Sequence, residues 1–188
     1  MTIQVHSSAI VETTEVGDGS AIWAFVHIMP GAVVGEQCKI GDHSFIEGGA
    51  VIGDRVTIKN NALIWHGVMI GDDCFIGPNV VFTNDLNPRA HVQSGPEDWV
   101  DTVVESGVSI GANSTIVCGI TIGHDALIGA GTVVTQNVES HALLVGNPGR
   151  IVGWVCRCGR KLPVNLICTS CHRKYDKQNN GLGEVTND

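Results

Sequence analysis

Along most of the chain an aliphatic or aromatic residue returns at every sixth position. The series runs Ile10, Val16, Ile22, Ile28, Val34, Ile40, Ile46, Ile52, Ile58, Ile64, Ile70, Ile76 and Phe82. Two places before each stands a mostly small side chain, from Ser8 and Thr14 through Cys38 and Ala62 to Val80. Neither a helix, with its period of 3.6, nor an isolated alternating strand produces a beat of six. A short strand followed by a tight corner does, because the bulky residue and the small one before it share one face of the strand. Three such strands close a triangular coil of about 18 residues, and the coils stack about 4.8 Å apart with their backbones paired. The pattern therefore predicts an all-β chain: a parallel β-helix of about six coils, roughly 30 Å tall, with a core of stacked Ile and Val. Glycine often follows the aliphatic residue, as at Gly17, Gly35, Gly41, Gly53, Gly71 and Gly77. These glycines are expected to supply corner conformations of positive φ.

The beat fails once. From Phe82 to the next in-phase residue, Val104, is 22 residues, after which the period resumes at Ile110, Ile116, Ile122, Ile128 and Val134. A loop insert is predicted over residues 84–101. A long loop on a rigid repeat points to function. The organisation read from the chain is a repeat domain over 1–150, a small cysteine-bearing module over 151–176 and a disordered polar tail over 177–188.

Composition narrows the function classes. The net charge is −8, and no Lys or Arg occurs between Arg89 and Arg150, so a general nucleic-acid binder is excluded. Arg55, Lys59, Arg89 and Arg150 are among the few cations open to a phosphorylated ligand on the repeat domain. No stretch reaches the ~18–20 apolar residues of a membrane span. The N-terminus lacks a basic start followed by an apolar run. A cytoplasmic location is expected, with the seven cysteines as thiols or metal ligands.

Those cysteines divide by position. Cys38 and Cys74 fill small inward slots and read as core, and Cys118 reads as a packed turn thiol or a groove residue. Cys156 and Cys158, followed by Cys168 and Cys171, have the composition of a tetrahedral four-thiolate Zn²⁺ site, structural because no coordination position stays open. His172 is an alternative ligand. The module is predicted to resemble a zinc ribbon.

Longer phrases carry a resemblance. "SAIWAFVHIMPGAVVGEQCKIG", "VTIKNNALIWHGVMIGDDCFIGPNVVFTNDLNPRA", "IGANSTIVCGITIG" and "ALIGAGTVVTQNV" with "ALLVGNPGR" resemble the hexapeptide-repeat acyltransferases. Among these, the chain is similar to bacterial nucleotide-sugar N-acetyltransferases, above all the group acting on UDP-2-acetamido-3-amino-2,3-dideoxy-glucuronate. The resemblance implies a left-handed β-helix, a homotrimer with sites between subunits, acetyl-CoA as donor, and a UDP- or dTDP-linked amino sugar as acceptor in surface-polysaccharide synthesis. It implies that Asn84 positions the amine or the oxyanion, and that Arg89 meets a phosphate or carboxylate. Gly129 and Ala130, with Gly111, would line the pantetheine, and Arg150 would meet a CoA phosphate. His66, His91 and Asp85 are candidate proton acceptors, as is the departing CoA sulfur; His91, Lys59 and Asn61 are candidate substrate contacts. Glu105 stands where members of the group often carry a basic residue, which leaves the sugar's carboxylate in question. Other readings are an O-acetyltransferase of a small hydroxyl substrate, a non-catalytic scaffold with a zinc docking module, and a metal hydratase of the γ-carbonic-anhydrase kind. The last needs three converging histidines, and no H-x₄-H pair follows His66.

Overall fold

The structure is a computed structural model that describes residues 2–92, 95 and 97–185. The predicted six-residue beat forms three parallel sheets, the faces of a triangular prism. The first face includes strands Ala21–Ile22, Lys39–Ile40, Thr57–Ile58, Phe75–Ile76, Ser109–Ile110 and Leu127–Ile128. The second includes His27–Ile28, Phe45–Ile46, Leu63–Ile64, Val81–Phe82, Thr115–Ile116 and Val133–Val134. The third holds Val33–Val34, Val51–Ile52, Val68–Ile70, Thr102–Val104 and Thr121–Ile122. Among the described residues there is no α-helix.

Register follows the repeat. On the first face Ile22 pairs with Ile40, Ile40 with Ile58 and Ile58 with Ile76, and Ile76 then pairs with Ile110 across the insert. Every one of these isoleucines is buried, as are the small partners Val26, Ala32, Cys38, Ala50 and Ala62. Such a core is one continuous column in which each large side chain rests on its counterpart in the next coil. Burying one Ile is worth about 1.5–3 kcal/mol, so the stack supplies the cohesion that two-residue strands lack individually. Two further strands on the first face, Gln4–Val5 and Ala142–Val145, extend the stack at its ends, and Arg150–Trp154 closes it by pairing antiparallel with Ala142–Val145.

Three expectations are corrected here. In the first coil Val11, not Ile10, lies under Ile28, and Ile10 points outward, 56% exposed. Only five residues separate Val11 from the Val16 that bridges to Val34, so the beat slips by one and the aliphatic at 10 is on the wrong side. Second, the glycines after each aliphatic residue are not the left-handed corner positions. A Cβ on Gly17 would sit 2.5 Å from the Glu36 nitrogen of the next coil, so this position needs glycine for close approach of stacked backbones. The positive φ falls one residue before the small inward side chain, at Gly31, Gly49 and Gly67 but also at Arg55, Asn61, Asp73, Asn79 and Asn113. Asn and Asp tolerate that region better than other residues with a Cβ.

Third, the tail is not structureless. Tyr175–Gln178 and Gly181–Glu184 form an antiparallel hairpin. It docks on the β-helix through Ser140, whose N–H donates to Asn180 O at 2.9 Å. Leu182 and Tyr175 are buried with Cys156, Leu162 and Cys168, and that burial offsets the polar composition on which the disordered reading rested. Residues 186–188 of that tail lie outside the described residues.

Candidate active site

The insert leaves the prism at the corner between the second and third faces. In the preceding coils this corner is closed by a left-handed glycine, Gly31, Gly49 or Gly67. After Val81–Phe82 the chain departs instead, and Thr102–Val104 brings it back into register beside Val68–Ile70. Leu63 pairs with Val81 one coil on, so the corner residues that follow, His66 and Asn84, occupy equivalent positions in adjacent coils. Two sequence-predicted catalytic residues thereby fall at the same corner of the prism, one coil apart.

Both ends of the insert are tied down there. Val100 N–H donates to Asn84 O at 2.9 Å, Thr102 N–H to Gly67 O at 3.0 Å, and Cys118 N–H to Thr83 Oγ1 at 3.0 Å. The Trp99 ring meets His66 edge-on, with centroids 5.3 Å apart. His66 itself is fixed twice. Its N–H donates to Glu47 Oε2 at 2.9 Å, and its Nδ1 lies 2.8 Å from Gly48 O. A carbonyl only accepts, so Nδ1 carries the proton and Nε2 of the neutral ring is the acceptor. Glu47 and Gly48 were not singled out from the sequence. Position 48 lies eighteen residues before His66 and Asn84 eighteen after, and that spacing was the available signal.

Other predicted residues are placed differently. Asp85 Oδ1 accepts the Asn87 N–H at 2.7 Å, a local turn that commits part of the carboxylate to the loop's shape. Arg89 and His91 are exposed further out, in a turn closed by Val92 N–H on Arg89 O at 3.1 Å. The loop positions Gln93, Ser94 and Pro96 lie outside the described residues. Lys59 and Asn61 are not beside His66. They sit on the corner between the first and second faces, where Asn61 takes the left-handed conformation at φ 60°. Asn79 and Asn113 repeat that conformation in later coils and are joined side chain to side chain at 3.0 Å. This gives Asn61 a backbone reason independent of any ligand.

Gly111, Gly129 and Ala130 share this first–second corner. A Cβ on Gly111 would lie 2.5 Å from Ala130 N, so the two coils are in direct backbone contact. Gly129 has its N–H on Leu144 O and Gly111 has its own on Ile128 O, both at 2.8 Å. Neither amide is therefore open to a ligand, whereas among the described residues none accepts from Ala130 N–H. The turn before Arg150 caps the same corner, with Gly149 N–H on Val133 O at 2.8 Å. Glu105 at the third corner accepts the His124 N–H at 2.8 Å, so its carboxylate is used to stack coils.

The four cysteines of the module converge as expected. Their Sγ atoms all lie within 4.8 Å of one another. Cys156 Sγ is 3.4 Å from Cys171 Sγ, and Cys158 Sγ is 3.6 Å from Cys168 Sγ. Four sulfurs about 2.3 Å from a tetrahedral Zn²⁺ stand about 3.8 Å apart, so the donor set and its spacing fit that ion. The backbone N–H of Arg173 holds the Cys171 thiol down at about 6, while burial pushes Cys156 up to about 12.

A three-faced β-helix of hexapeptides with a loop tied down at one corner defines the class: a hexapeptide-repeat protein. Residues 13–48 and 49–84 match the family described as bacterial transferase hexapeptide (six repeats), and residues 101–136 match the hexapeptide repeat of succinyl-transferase. The chain is 51% identical over 173 residues to the dTDP-3-amino-3,6-dideoxy-alpha-D-galactopyranose 3-N-acetyltransferase of Aneurinibacillus thermoaerophilus, covering 91% of this chain and 89% of that one. It is 28% identical to the bifunctional protein GlmU of Shouchella clausii over 77% of this chain, and spans only 29% of that longer protein. A crystal structure of a GDP-perosamine N-acetyltransferase from Caulobacter crescentus shares the fold at a TM-score of 0.51 and 24% identity, covering 81% of this chain and 57% of that one. The chain belongs to the hexapeptide-repeat acetyltransferases, whose left-handed β-helix is the fold described above.

Proposed function

We propose that this chain transfers the acetyl group of acetyl-CoA to the amine of a dTDP-linked 3-amino sugar. The observation that carries the reading is His66, held by Gly48 and Trp99 at the corner where the insert begins with Asn84, in a chain half identical to an enzyme of that name. That relative's sugar is a 6-deoxy galactose, which has no C6 carboxylate. The reading therefore favours a deoxy sugar over a uronate, with Arg89 serving a phosphate oxygen through its planar fork. Surface-polysaccharide synthesis in the cytoplasm is the setting that fits such an acceptor.

In the reaction the amine lone pair attacks the thioester carbonyl, the C–S bond breaks and the sulfur leaves as thiolate. His66 Nε2 accepts the proton that the nitrogen sheds as its bond to carbon forms, and that proton is then available to the sulfur. The Asn84 amide donates to the carbonyl oxygen while it is anionic, a contact worth about 3 kcal/mol in comparable sites. Ala130 N–H and Arg150 receive the pantetheine and phosphate portions.

These two groups of residues lie on different corners of one prism, with the second face between them. A site containing both is completed by two chains, which supports a homotrimer with sites between subunits. Face three presents the row Val33, Val51 and Met69, all exposed, in register, which is suitable apolar surface for such contact. The module's four cysteines would hold Zn²⁺ as a structural ion.

Thermal unfolding tests the binding half of this reading. Acetyl-CoA at a hundred times its Kd should stabilise the protein by about 2.7 kcal/mol, with a further gain from a dTDP-amino sugar. An unchanged melting temperature at millimolar acetyl-CoA would overturn it.

A further inference from the structure

We propose a second metal site, made by His124, Asp125 and His141, that takes a divalent transition-metal ion at the seam between the β-helix and the C-terminal module. Asp125 and His141 occupy the left-handed position of the third corner in successive coils, at φ 56° and 63°. The fold therefore sets one directly over the other, and His141 N–H donates to His124 O at 2.9 Å. One ligand atom from each residue lies within 4.8 Å of the other two. Asp125 Oδ2 is 3.2 Å from His124 Nδ1 and 3.8 Å from His141 Nε2. Ligands bound about 2.0–2.1 Å from a tetrahedral ion stand about 3.3–3.4 Å apart, so the two carboxylate separations need only small side-chain adjustment, and the two imidazoles draw together on the ion.

The second contacts point the same way. His141 is buried, 2% exposed, and its Nδ1 is 3.0 Å from Val155 O. The carbonyl fixes the proton on Nδ1, which leaves an unprotonated Nε2 facing the carboxylate at a distance too long for a hydrogen bond. Imidazole ligands characteristically donate their other N–H to a backbone carbonyl in this way. The His141 ring is further held edge-on to Tyr175 and to His124, at centroid separations of 4.8 and 5.0 Å. A groove lined by Asp73, Ser106, His124, Asp125 and Arg157 opens over the cluster. Three protein ligands with solvent access leave a fourth position for water or an anion. Two imidazoles and one carboxylate suit Zn²⁺, Co²⁺ or Ni²⁺ better than the hard cations.

The test uses the full chain loaded with Co²⁺, followed by elemental analysis and absorption spectroscopy. His124→Ala should bind one fewer cobalt per chain than the unaltered protein, with the thiolate-to-cobalt charge-transfer bands of the cysteine cluster intact. Asp125→Asn should behave in the same way, and both should retain the parent's melting temperature when metal-free. Because the comparison is between variant and parent, it stands whether or not the cysteines hold metal. Equal cobalt content in parent and both variants would overturn the proposal. So would a loss of cobalt that removes the charge-transfer bands and leaves the remaining spectrum unchanged.

Discussion

Replacing His66 with asparagine separates the work of its two ring nitrogens. Nδ1 donates to Gly48 O at 2.8 Å, and the asparagine amide nitrogen reaches a similar position, so that contact survives. What disappears is Nε2, the acceptor beside Trp99 and the Asn84 corner. A neutral hydrogen bond contributes a net ~0.5–1.5 kcal/mol; even its full loss would change a rate by about tenfold. Loss of a general base costs about 10²–10⁴-fold, or roughly 3–5 kcal/mol of barrier at 1.36 kcal/mol per decade. The assay is steady-state release of free CoA thiol, with kcat and KM taken separately across pH. His66→Asn should lower kcat by two to four decades, leave KM for acetyl-CoA within a few-fold, and flatten the dependence of kcat on pH. A kcat within threefold of the parent would refute the assignment and leave proton acceptance to the departing sulfur.

Other outcomes follow from the same geometry. Asn84→Ala should lower kcat about 10²–10³-fold through loss of an oxyanion donor, with melting temperature unchanged; unaltered turnover removes Asn84 from the site. The hydroxyl of Thr102, buried at the start of the returning strand, has no hydrogen-bond partner among the described residues. Thr102→Val should therefore stabilise the chain by about 1 kcal/mol, seen as a rise of about 2–4 °C in the melting temperature. Cys168→Ser should abolish stoichiometric zinc in the module and expose Leu162 and Leu182 to proteolysis, as should a strong chelator, while acetyl-CoA binding persists. Zinc retained at parental content in Cys168→Ser would contradict the four-thiolate reading.

Much of the fold was readable because a solenoid repeats one local rule. Each aliphatic from Ile22 to Phe82 faces inward as its place in the beat requires, and the insert lies between Phe82 and Thr102 as the lost phase implies. The beat fixes the left-handed position, one residue before each small inward side chain, but residue type does not reveal it. The glycines that stood out mark where coils touch, while the left-handed corners hold other glycines, such as Gly31, and side chains such as Arg55 and Asn61 that looked like candidate chemistry. Asn61 is the instructive case, since corner geometry accounts for it. The one-residue slip at Ile10 is legible only from pairing with the coil above. The hairpin at residues 175–184 depends on tertiary docking against Ser140, which no local composition reports. The candidate site was readable in part, because an eighteen-residue step joins His66 to Asn84. Its division between two corners appears only when the coil is closed in space.

Acetyl transfer to a sugar amine is measured directly as thiol release from acetyl-CoA with a panel of dTDP- and UDP-linked 3- and 4-amino sugars. Turnover is expected with a dTDP-linked 3-amino-3,6-dideoxy sugar, giving an N-acetyl product by mass, and little with a UDP-linked uronate. Absence of thiol release with every amino sugar of the panel would contradict it.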